Sequence, residues 1–153
     1  MTEIRFYHLQ NKKLEQALPE ILTKAVSIGH RAVVKAPDTQ KTEYLNDLLW
    51  TYHPNSFLPH GSAKDGHAAQ QPIWLTHQND NPNNANMLVL TGGCDHENIG
   101  DFDLCCALFD GNNPDAVTAA RTQWKNYKES GHALTYWQQT AKGWEKKADT
   151  AEE

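Results

Sequence analysis

The sequence predicts an α/β domain: one mainly parallel central sheet flanked by helices. Short apolar runs recur along the chain, segments of helical period separate them, and Gly, Pro or Asp marks most of the boundaries. At 153 residues, with 39% hydrophobic and 22% charged residues, the chain suits one folded domain rather than a disordered segment.

Residues 4–9 (IRFYHL) are the first predicted strand. Leu14, Leu18, Ile21, Leu22, Ala25 and Val26 follow at helical spacing, and Gly29 supplies the stop. Pro19 falls inside that pattern, so the helix loses a hydrogen bond unless it begins close to the proline. Residues 31–36 (RAVVKA) make a second strand. Pro37-Asp38-Thr39 then opens a helix through Thr42, Leu45, Leu48 and Leu49 to Trp50. Residues 51–72 are polar and turn-rich, and a connection of that length in a compact domain usually serves a function. Residues 73–76 (IWLT) and 87–91 (MLVLT) are predicted buried strands on either side of the solvated NDNPNNAN loop. Residues 104–109 (LCCALF) form a fifth apolar run. Asn113 can cap the long helix that follows, with Pro114 at its first position and Asp115 favourable to the dipole. Gly131 ends that helix, and residues 133–139 (ALTYWQQ) return as a last edge strand. The expected organisation is one domain over residues 1–145 and a frayed, charged tail over 146–153.

Several function classes drop out. No apolar run is long enough for a membrane helix and the first residues lack a signal-peptide core, so the expected location is cytoplasmic with no membrane partner. The net charge of −5 argues against a duplex-DNA binder, which would show a broad basic face. Three cysteines, two of them adjacent in an apolar run, read as free and mostly buried thiols. There is no GxxxxGK[ST] phosphate loop and no GxSxG, so no catalytic residue and no cofactor is assigned. His53, His60 and His67 recur at a spacing that matches no structural zinc site, and no metal is expected.

Two surfaces remain. Arg121, Trp124, Lys125 and Lys128 stand at i, i+3, i+4 and i+7, which gathers three cations and an indole on one helical stripe. From 121 to 147 there are six basic residues against two acidic ones, a local reversal of the chain's sign. The plain reading is a solvated helix face with Trp124 packed inward. The functional reading is a groove for an anionic, partly apolar ligand such as a carboxylate-ended peptide. The second surface is Trp50 with Phe57, Pro59 and His60: either an apolar cluster under the polar loop or an aromatic docking patch. A competing function is a small nucleotide-binding protein or enzyme using the Gly92-Gly93 turn after a strand. Direct single-strand binding through Trp124 and the lysines is a third, opposed by the acidity elsewhere.

FYHLQ near the start, the LNDLLW…PNSFLPH block and RTQWKNYKESGHALTYW near the end resemble the chi subunit of bacterial DNA polymerase III holoenzyme, in order from about Phe6 to Trp137. The resemblance implies a non-catalytic clamp-loader accessory whose α/β sheet is related to nucleotide-binding folds but lacks the phosphate loop. It would bind the acidic C-terminal tail of single-stranded DNA-binding protein (SSB), and through SSB reach single-stranded DNA. It assigns the tail to Arg121, Trp124 and Lys125, with Leu134 as an apolar wall. Family members usually carry Tyr where this chain has Trp124. The Trp50, Phe57, Pro59 block resembles the region that binds the psi subunit or a repair helicase.

Overall fold

The computed structural model describes residues 2–51, 58–141 and 143–150. Eight strands form one sheet: β1 (Glu3–Leu9), β2 (Ala32–Lys35), β3 (Gly61–Ser62), β4 (Ile73–Thr76), β5 (Met87–Leu90), β6 (Leu104–Asp110), β7 (Ala133–Thr140) and β8 (Gly143–Asp149). The helices are α1 (Leu14–Ser27), α2 (Thr39–Thr51) and α3 (Pro114–Glu129). Strand order is β3-β4-β2-β5-β6-β1-β7-β8, parallel throughout except for the β7–β8 hairpin. This is the predicted α/β class.

Strand alternation divides the core between the two faces of the sheet. Val34, Met87, Val89, Cys106 and Leu108 point to the face covered by α1 and α2 through Leu18, Leu22, Leu45 and Leu49. Ile4, Phe6, Leu88, Leu90, Cys105, Phe109 and Leu134 point to the other, under Ala120, Trp124 and Tyr127 of α3. Cys105 and Cys106 are therefore core residues, as their apolar neighbours predict. Helix α1 continues across Pro19 rather than starting beside it. The proline ring is buried there, and that packing is set against the missing hydrogen bond.

Two expectations are corrected. Residues 133–140 are not the edge of the sheet, because β8 pairs antiparallel with β7 outside it. Lys146, Lys147 and Asp149, assigned to a frayed tail, belong to that strand. Local composition hid it, since Glu145, Lys146 and Lys147 carry the charges that protect an exposed strand edge. The polar stretch after α2 also holds the short β3 and a helical turn over Ala68–Gln70. No helix among the described residues is long and apolar enough to cross a membrane.

The neighbours β1 and β6 send their chains to opposite faces, β1 into α1 and β6 into α3. In parallel α/β sheets such a switch point leaves a crevice beyond the strand ends, the usual ligand position. A groove of about 910 Å³ opens here, lined among others by Asn11, Lys13, Gly92, Gly93, Asp110 and Asn113.

Candidate functional site

Helix α3 is fixed at its start by Asn113, whose side-chain oxygen accepts from Asp115 N (3.0 Å) and Ala116 N (3.4 Å). Pro114 and Asp115 occupy the first turn as expected, and Lys128 sits favourably in the last. Val117, Ala120, Trp124 and Tyr127 recur on the face packed against the sheet. Arg121, Lys125 and Lys128 lie alongside on the exposed flank. Trp124 stands at the seam between them and is half-buried. Its indole meets Phe6 edge-on at 5.5 Å between centroids and Tyr136 at 6.1 Å. The indole is thus braced by two rings from the sheet while still reaching solvent beside the cations.

Among the described residues neither Arg121 nor Lys125 makes a salt bridge or side-chain hydrogen bond. Arg121 does act on Tyr136: burial pushes that phenol's pKa up, and the guanidinium opposes the shift. Leu134 is fully buried, so it cannot form a wall that touches a ligand. It lies in the core beneath α3 and supports the site from below. Its place inside the sheet follows from the pairing of β7 with β1, which local sequence does not reveal.

The second surface is only partly assembled. Trp50 is 48% exposed at the end of α2. Its ring lies 4.4 Å from that of His60. His60 is not a surface contact: it is 3% exposed, with Nε2 3.0 Å from the Asn46 carbonyl and Nδ1 facing that of Leu58. It is the platform on which the exposed indole rests. Pro59 is half-buried beside it, and Phe57 lies outside the described residues. Asp65 steadies this loop by accepting from Asn46 Nδ2 (2.8 Å) and Ser62 N (3.1 Å).

The Gly92-Gly93 pair is a tight turn with φ of +63° and +78°, closed by Cys94 N to Thr91 O at 3.2 Å. Gln123 ties it to α3 by donating to the carbonyls of Gly93 (3.3 Å) and Cys94 (2.8 Å). The loop after β1, where related folds cradle phosphate, is also occupied. The backbone N–H groups of Gln10, Asn11 and Lys12 all donate to Oε1 of Gln139, at 3.0, 2.8 and 2.8 Å. A side chain of β7 takes the place an anion would take. Among the described residues no group of three or more His, Cys, Asp or Glu converges as a metal site.

Sequence reasoning missed Gln139 and the ring neighbours His8, Phe109 and Tyr136. Period-2 alternation puts Phe6 and His8 on one face, and Leu134 and Tyr136 on one face. The strand register that joins them could not be read locally.

The fold and this site define an α/β module that lacks a phosphate loop and carries a stripe of exposed cations beside a half-buried indole on its last helix. The family described as "DNA polymerase III chi subunit, HolC" matches residues 1–135. The chain belongs to that family, whose members are accessory subunits of the replicative polymerase. It is also 36% identical over 95 residues, 62% of its own length, to the "Probable DNA polymerase III subunit chi" of Rickettsia prowazekii (strain Madrid E). The match spans 58% of that relative's length.

Proposed function

We propose that this protein is a non-catalytic adaptor of DNA polymerase III that binds the acidic C-terminal tail of SSB, ending in Pro-Phe, at Arg121, Trp124 and Lys125. The observation that carries this reading is Trp124 itself: half-buried, braced by Phe6 and Tyr136, and bordered by the exposed Arg121 and Lys125, which have no ion-pair partner among the described residues. Arg121 suits the terminal carboxylate through paired N–H donors, Lys125 and Lys128 suit the acidic residues before it, and the indole suits the apolar end. Trp50, raised on His60, suits a second replisome subunit such as psi, or a repair helicase. The adaptor would thereby link the clamp loader to SSB-coated single strands.

Calorimetric titration with a synthetic SSB tail peptide tests the reading. The wild-type protein binds; Arg121→Ala and Lys125→Glu each lose about 1.5–3 kcal/mol, the worth of a charge-assisted hydrogen bond. Binding weakens with salt without vanishing, because the terminal ring also leaves water. Equal affinity in Lys125→Glu rejects the assignment. The competing nucleotide reading, at the Gly92-Gly93 turn, would instead show as thermal stabilisation by nucleotides.

A further inference from the structure

On the sheet face under α3, three parallel strands carry a row of rings. Phe109 of β6 and His8 of β1 are register partners, and Tyr136 stands on β7 opposite Phe6. Ring centroids are 5.2 Å apart for His8–Phe109, 5.8 Å for His8–Tyr136 and 6.0 Å for Phe109–Tyr136. Nδ1 of His8 is hydrogen-bonded to the hydroxyl of Tyr136 at 2.5 Å. The imidazole lies against Gly111, where any Cβ would strike the ring. Both His8 and Tyr136 are half-buried, and Tyr136 adjoins Trp124 and feels the charge of Arg121.

This hydrogen bond has two polarities. With His8 neutral and Nδ1 unprotonated, the phenol donates to the ring, and only oxygen lone pairs are left for a ligand. With His8 protonated, Nδ1–H donates to the phenol oxygen and the phenolic proton is free to donate outward. A carboxylate held by Arg121 then gains a second donor and a nearby imidazolium.

We propose that His8 and Tyr136 form a proton-dependent carboxylate contact at the end of the Arg121–Trp124 groove, so that an acidic peptide binds there with uptake of a proton. The inference rests on the tail-binding reading of that groove. Burial holds the His8 pKa below its ordinary value, with the Gly111 backbone and the Asp110 carboxylate pulling the other way. The free site is therefore mainly neutral near pH 7, and an arriving anion draws the proton in. The other groups facing the pair are Gln10, whose amide lies 3.5 Å from His8 Nε2, and Arg121 beside Tyr136.

The test is calorimetry of the full chain with a synthetic acidic peptide ending in Pro-Phe, at about pH 6 and about pH 8, in buffers of different ionisation enthalpy. Wild-type protein binds about three- to tenfold tighter at the lower pH, and the buffer dependence of the heat reports proton uptake. Tyr136→Phe and His8→Gln, with thermal melts to verify their folding, bind with a ratio near one between the two pH values and without buffer-dependent heat. An unchanged ratio in Tyr136→Phe, with binding still lost in Arg121→Ala, overturns the His8–Tyr136 contact alone. No binding by the wild type at either pH overturns the groove reading and this inference together.

Discussion

The side-chain oxygen of Gln139 lies 2.8 Å from the backbone nitrogen of Lys12, and the same oxygen serves Gln10 and Asn11. One residue of β7 therefore ties down the turn between β1 and α1, and does so from a position only 6% exposed. Gln139→Ala leaves three backbone donors without that acceptor. It should lower the unfolding free energy by about 1–3 kcal/mol, measured as a fall in the urea midpoint. The neighbouring Gln138→Ala, on a half-buried side chain outside this network, should cost clearly less.

The indole of Trp124 serves stability as well as binding, because it fills the space between Phe6 and Tyr136. Trp124→Ala should destabilise the fold by about 2 kcal/mol, while Trp124→Tyr should keep most of the packing. Arg121→Ala and Lys125→Glu should change the melting free energy by under about 0.5 kcal/mol, since both side chains are exposed. Parallel melts and peptide titrations separate the two effects: the cations move affinity, and the indole moves both.

Acid should weaken the fold through buried histidines. Burial lowers the pKa of His96, only 5% exposed, and its Nδ1 accepts from the Asn98 backbone at 2.9 Å, a bond that protonation removes. Burial also lowers the pKa of His8. A depressed folded-state pKa contributes stability that is complete above the unfolded value and is lost as pH falls through the folded one. Unfolding free energy should therefore be level above about pH 7 and decline below about pH 6.5. Asp65 extends the decline at lower pH: desolvation pushes its pKa up, but hydrogen bonds from Ser62 and Asn46 leave it below the ordinary value. Urea titrations across pH check this, and His96→Gln should flatten the upper part of the slope.

The thiols should be unequal. Cys105 and Cys106 are buried, with pKa raised by desolvation, to about 12 for Cys106. Cys94 is half-buried with its pKa raised less strongly. A native-state thiol titration should read Cys94 alone and slowly, and all three cysteines only after denaturation.

Much of the scaffold was legible because it depends on local patterns. The spacing Leu14, Leu18, Leu22, Ala25 reads as a helix, LCCALF as a strand, and Asn113-Pro114-Asp115 as a helix start, each set by the residues themselves. The strand β8 was not legible, because its charges are those of an edge and resemble a disordered tail. The burial of His60 and Leu134 was not legible locally, because His60 lies in a polar loop and Leu134 is covered through the pairing of β7 with β1.

The α/β class, the three helices and most of the strands, and the gathering of Arg121, Trp124, Lys125 and Lys128 on one stripe follow from local order along the chain, because helical and strand periods are short-range properties of the backbone. What lies under that stripe depends on long-range packing. Strand register joined Phe6, His8, Phe109 and Tyr136 beneath the indole and set Gln139 into the loop after β1. Pairing between strands more than 90 residues apart leaves no periodic trace in the sequence, so side chains meet there through the geometry of the sheet alone.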